Sequence, residues 1–143
     1  MRTVRDLLKA KGNAAWSTNS NSTVYEALRL MAEKNVGAVL VFEAEKLVGI
    51  FSERDYARKV TLKGKLAGHT LVNEVMSSDV ISVTGDQSIE ECMELMTNRR
   101  IRHLPVFSGA KLDGVVSIGD VVKSIIEEQK KTINHLEQFI TGR

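Results

Sequence analysis

The chain has 143 residues, 43% hydrophobic and 27% charged, which suits a small globular protein with a real core and is too short for two large domains. Its 20 Lys and Arg against 18 Asp and Glu leave a formal net charge of +2, short of the clustered basic excess that marks a dedicated nucleic-acid binder. The longest apolar stretch, Val36 to Phe42, cannot span a bilayer, and the first residues show no apolar signal core. A cytoplasmic protein with no membrane partner is therefore expected. Cys92 is the only cysteine, which excludes an internal disulfide and a multi-thiolate metal site.

Taken in chain order, Val4-Arg5-Asp6-Leu7-Leu8 comes first, followed by a polar segment ending in Thr23-Val-Tyr-Glu26. Thr23 and Glu26 fit the capping box that opens a helix, and Val24, Ala27, Leu28 and Met31 recur at helical spacing. The run Gly37–Phe42, a short turn at Glu43-Ala44-Glu45 and the run Leu47–Phe51 predict a β-hairpin. A second helix is expected over Glu53–Val60, and Thr61–Thr70 is polar and glycine-containing enough to read as a linker. Val72-Asn-Glu-Val-Met76 resembles the opening segment at a shift of 68.

The same grammar then repeats. Displaced by 65 positions, Thr23–Val60 aligns with Ser88–Ile125 without a gap, and ten of the 38 pairs are identical. They include Val41/Val106, Phe42/Phe107, Gly49/Gly114, Ser52/Ser117 and Asp55/Asp120. Two copies are too few for a solenoid and read as a pair related by a pseudo-twofold axis. The divisions expected are a first repeat at 1–65, a second at 66–130 and a C-terminal helical extension at 131–143.

Both hairpins end on Gly-x-x-Ser-x-x-Asp: Gly49, Ser52 and Asp55, then Gly114, Ser117 and Asp120. A strand running into a helix presents free backbone N–H groups and the positive end of the helix dipole, where phosphate is stabilised. Ser can bond phosphate or ribose, and an ionised Asp has acceptors enough for both ribose hydroxyls. A glycine lets a neighbouring backbone or ligand come close. The same Ser and Asp spacing also fits a bare helix cap, and the residues alone leave both readings open.

Together with the repeat, with Arg102-His-Leu-Pro-Val106 and with the helix–hairpin–helix order, this motif resembles the cystathionine-β-synthase (CBS) domain. Two such domains form the regulatory unit called a Bateman module. The resemblance covers nearly the whole chain and implies an α+β fold: two pseudo-twofold-related repeats, each a leading strand, helix, β-hairpin and helix, packed through their sheets. It also implies binding of AMP, ADP, ATP or NAD in two clefts between the repeats, with no catalytic residue, no catalytic cofactor and no metal. One cleft would hold Ser52, Arg54 and Asp55 with Val80, Ile81, Arg102 and His103. The other would hold Ser117 and Asp120 with Ala15, Trp16, Gly37 and Ala38. Only the first gathers cations, Arg54 against Gly119 in the second, so it is expected to take phosphate more tightly.

Other residues carry plainer readings. Trp16 can stack on adenine or pack half-buried, His103 can serve phosphate or the fold, and Cys92 reads as a buried, inert thiol. Val122, Ile126, Gln129, Ile133, Leu136 and Ile140 alternate by four and three, a short heptad seam that either pairs with a second subunit or folds back. A homodimer is expected, acting on an unidentified regulated protein. The rivals are a nucleotide hydrolase using Asp55 or Asp120, a nucleic-acid module using Arg99, Arg100 and Arg102, and a dimeriser with empty clefts. No nucleophile–base set, metal cluster or Walker lysine loop stands out to favour the first rival.

Overall fold

In chain order, residues 2–141, which this computed structural model describes, form α1 (Val4–Lys11), β1 (Ser17–Asn19), α2 (Val24–Lys34), β2 (Ala38–Glu43) and β3 (Lys46–Ser52). Next come α3 (Glu53–Asp55), running on into a π-helical turn (Tyr56–Thr61), then α4 (Val72–Val75), α5 (Ile89–Arg99), β4 (His103–Ser108), β5 (Lys111–Ser117) and α6 (Ile118–Thr141). The fold is α+β. It divides into a first unit, Ala15–Ile81, and a second built from Ser82 onward with the segment up to Ala14.

In the first unit the Thr23 hydroxyl accepts from the Glu26 amide at 3.1 Å and opens α2. Asn35, at φ 54°, closes it in the left-handed conformation that asparagine tolerates. The sheet runs β1-β2-β3, with β1 parallel and β3 antiparallel to β2. Val24, Ala27 and Met31 of α2 bury against Val39, Val41 and Phe51 of the sheet, with Val60, Val72 and Val75 in the same core. A buried valine or phenylalanine is worth about 1.5–3 kcal/mol, so this cluster is the unit's principal stabilisation.

The second unit repeats that plan. Its hairpin pairs His103 with Ser117 and shifts register between Val106 and Phe107; the first pairs Ala38 with Ser52 and shifts between Val41 and Phe42. Every one of these positions is displaced by 65, so the gapless alignment of the two copies is also a structural equivalence. Leu104, Val106, Val116 and Val121 are fully buried here, with Ile89 and Cys92 of α5. Burial, and secondarily the Glu91 carboxylate, pushes the Cys92 thiol up to about 11, the buried thiol expected.

One expectation is corrected. The leading strand that the resemblance implies for the second copy is only a parallel bridge of Val83 to Val106. In the first copy the Leu40 amide donates to the Trp16 carbonyl at 2.9 Å. The counterpart of Leu40 is Pro105, which has no N–H to donate, and the strand shortens.

The compact units are bounded differently from the sequence repeats. The segments that precede each copy do not divide at residue 65. α1 buries Val4, Leu7 and Leu8 in the second unit, where the Val4 amide donates to Gln87 O at 2.9 Å and the Ile89 amide to Arg2 O at 3.1 Å. α4 does the same in the first unit, with Val72 N to Ser22 O and Val24 N to Thr70 O, both at 2.8 Å. Each arm needs a sheet to cover its apolar face, and each finds it in the unit of the other repeat's hairpin. The presumed linker is accordingly ordered near its end, with Thr70 buried and its hydroxyl donating to Leu66 O at 2.8 Å.

Candidate functional site

Both Ser-x-x-Asp motifs lie where a hairpin strand turns into a helix. In the first unit the Asp55 amide donates to Ser52 Oγ at 3.1 Å, while Ser52 N and Ser52 Oγ donate to Asp55 Oδ2 at 3.0 and 3.1 Å. That is a complete capping box. The other oxygen, Oδ1, accepts from Ser77 Oγ at 3.2 Å and pairs with Lys59 Nζ at 3.1 Å. Asp55 is 8% exposed. A carboxylate has about four acceptor sites, and all four are engaged.

The second motif differs. The Asp120 amide donates to Ser117 Oγ at 3.1 Å, and the Ser117 amide to Asp120 Oδ2 at 2.9 Å. Lys11 Nζ donates to the same Oδ2 at 2.6 Å and to Val115 O at 2.7 Å. Oδ1 carries none of these contacts. Burial pushes the Asp120 carboxyl up, but the Lys11 hydrogen bond, then the Ser117 amide and the Lys11 charge, outweigh it and hold it below the ordinary 3.8.

The helix starts differ as well. The Glu53 and Ile118 amides donate to Gly37 O and Arg102 O at 3.0 and 2.8 Å, so the first amide of each helix is already satisfied. Past Ser52 there is one short α turn and then the π turn. Past Ser117 lies a 24-residue α-helix, whose dipole is correspondingly better developed. The Gly119 amide falls in its first turn, where a helix has no acceptor of its own to offer, and Gly119 is exposed.

The remaining expected residues sit as follows. Ala15 and Trp16 lead into β1; Trp16 is exposed, with Lys34 Nζ 4.4 Å above its ring. Gly37 and Ala38 enter β2, Arg54 is half-buried in α3, and Val80 and Ile81, half-buried, close the first unit. Arg102 is exposed, and His103 stands half-buried on β4 opposite Ser117. A hollow of about 260 Å³ in the first unit is lined by Leu28, Met31, Ala32, Asn35, Val36, Gly37 and Glu53. Of the expected residues only Gly37 belongs to that lining.

The motif glycines make room for protein. A Cβ on Gly49 would lie 2.5 Å from Met76 Sδ and 3.0 Å from Ser77 O, and one on Gly114 would lie 3.1 Å from Leu8 Cδ2. The Asp120 motif also gathers a cation, Lys11. Sequence reasoning missed Lys11, Ser77 and Lys59. The spacing of four from Asp55 to Lys59 is a legible signal; Lys11 has none, since 109 positions separate it from Asp120. Among the described residues no group of three His, Cys, Asp or Glu is placed to hold a metal, and no helix is long and apolar enough to cross a membrane.

Known proteins share both the sequence and this architecture. The chain is 38% identical over 150 residues to the mitochondrial CBS domain-containing protein CBSX3 of Arabidopsis thaliana, covering 98% of this chain and 72% of that one. It is 38% identical over 105 residues to the CBS domain-containing protein YhcV of Bacillus subtilis, covering 73% and 74%. A solved CBS-domain protein from Burkholderia ambifaria superposes with a TM-score of 0.86 at 48% identity, covering 89% of this chain and 96% of its own. The CBS domain family itself matches at residues 16–61 and 72–127, and the chain belongs to that family as a pair of CBS domains.

Proposed function

We propose that this CBS pair is a non-catalytic regulatory module that binds an adenine nucleotide or dinucleotide (AMP, ADP, ATP or NAD) and passes its occupancy, as a homodimer, to a regulated protein. The observation that carries the reading is the constellation around Asp120: a carboxylate held in its ionised form, the Lys11 ammonium at 2.6 Å from Oδ2, and the Gly119 amide at the start of a 24-residue helix. The carboxylate suits ribose hydroxyls, and Lys11 with the helix N-terminus suits phosphate. The motif expected to bind more weakly is therefore the better equipped one. Asp55, with every acceptor site engaged, serves first as a cap, and its share in a ligand site would require Ser77 or Lys59 to let go.

Isothermal titration with AMP, ATP and NAD, and with GTP as the control, tests this. Binding of at least one adenine compound is expected, with GTP much weaker. A hydrogen bond to a charged group contributes about 1.5–3 kcal/mol, so Asp120→Ala weakens that binding about tenfold or more. Asp55→Asn, which keeps an acceptor for the Ser52 amide, leaves it nearly unchanged. Heat from no adenine compound at millimolar concentration refutes the reading, and release of phosphate from ATP with magnesium turns it into an enzyme.

A further inference from the structure

Past Ile125 every described residue of α6 except the half-buried Glu128 is exposed, yet the helix continues to Thr141. Its exposed apolar residues are Val122 at 40%, Ile126 at 46%, Ile133 at 53%, Leu136 at 57%, Phe139 at 86% and Ile140 at 80%. Among the described residues the far half of the stripe, Ile133 to Ile140, is therefore not folded back onto its own chain. In proteins most helical stability comes from packing an apolar face rather than from intrinsic propensity, and an apolar stripe at spacings of three and four is the pattern that a second helix covers.

We infer that the stripe pairs with the same stripe of a second copy, antiparallel, about a twofold axis level with residue 131. In that register Val122 meets Ile140 of the second copy, Ile126 meets Leu136, and Gln129 meets Ile133, each pair occurring twice. Two flanking contacts select this arrangement. Lys123 falls beside Glu137 of the second copy on both sides, an opposite-charge pair of the kind that sets coiled-coil orientation. Phe139, the most exposed of the six, falls beside Ile125, which is half-buried in its own unit. A parallel pair in register sets Lys130 beside Ile125 and leaves Glu137 beside Thr132, with no opposite charges in either pair. The one unfavourable contact in the antiparallel register is Lys130 against its own symmetry mate. The pairing rests on the homodimer of the proposed module and is independent of nucleotide binding.

Cysteine cross-linking tests it in a Cys92→Ala background, alanine being the residue at the equivalent position 27. Chains carrying Ile126→Cys and chains carrying Leu136→Cys are oxidised separately and after mixing. Residues 126 and 136 are about 15 Å apart along a helix, and a disulfide needs Cα atoms about 4.4–6.8 Å apart. The mixture is expected to yield linked dimer in large excess over either chain alone. Linking by either single variant means a parallel pair and overturns the proposal. Sedimentation of the unmodified chain distinguishes the other failures: a dimer that never links keeps the homodimer and rejects the tail pairing, and a monomer at tens of micromolar rejects both. Lys130→Gln should tighten association several-fold by removing the like-charge contact; looser association contradicts the register.

Discussion

Replacing Asp55 by alanine removes four contacts at once from a residue that is 8% exposed. Loss of a helix N-terminal cap typically costs about 1 kcal/mol. Loss of the Ser77 hydroxyl on a charged acceptor adds about 1.5 kcal/mol. The Lys59 pair contributes less than about 1 kcal/mol, since the lysine side chain is 43% exposed. Release from burying a carboxylate offsets part of this, so Asp55→Ala should destabilise the fold by about 2–3 kcal/mol. At about 4 °C per kcal/mol for a chain of this size, Tm falls by about 10 °C. Asp120→Ala should cost less, about 1–2 kcal/mol, because the Asp120 side chain is 24% exposed against 11% for Asp55. Urea denaturation of the two variants without nucleotide is the assay. An Asp55→Ala protein within about 0.5 kcal/mol of the parent, or less destabilised than Asp120→Ala, would refute the assignment of Asp55 as a cap.

Gly49→Ala should destabilise by about 1–3 kcal/mol through overpacking, because Ser77 O, 3.0 Å from the new Cβ, is fixed by its hydrogen bond from the Ile50 amide; urea midpoints check this. The hairpin turns place Ala44 at φ 56° and its equivalent Gly109 at φ 61°, so Gly109→Ala should cost about 1 kcal/mol and Ala44→Gly should cost nothing or stabilise slightly. Thermal melts that rank these two in the opposite order contradict the turn geometry. Asp120 has a depressed folded pKa, so its contribution is fully present above the unfolded value of about 3.9 and is lost as pH falls through that value and the folded one. Lys11→Met should therefore flatten the dependence of stability on pH below about 4 and leave the slope near neutrality unchanged, as read from urea midpoints across that range.

The repeat was the most legible feature because it is written in local pattern. A displacement of 65 aligned Ser52 with Ser117 and Val41 with Val106, and the two hairpins keep those equivalences down to the register shift after each valine. The arms were not legible in the same way. Val4, Leu7 and Leu8 mark a helix with one apolar face, but which sheet covers that face is settled by packing between segments distant in sequence, and no local spacing records it. The same holds for Lys11 on Asp120 and Ser77 on Asp55, contacts that decide how each motif behaves. Charge composition near the motif, Arg54 against Gly119, favoured the Asp55 side; the proposal above favours the other because the Asp55 carboxylate is saturated and a longer helix follows Ser117. The shortened leading strand was in principle visible, since Pro105 stands where Leu40 donates in the first copy.

The central claim, an adenine nucleotide held at the Ser117–Asp120 motif, is tested most directly by titrating the unmodified chain and Asp120→Ala with the same adenine compound in one calorimeter. Saturable binding to the unmodified chain, weakened about tenfold or more in Asp120→Ala while its unfolding remains cooperative, is the result expected. Unchanged affinity in Asp120→Ala, or no binding to the unmodified chain at millimolar ligand, would contradict it.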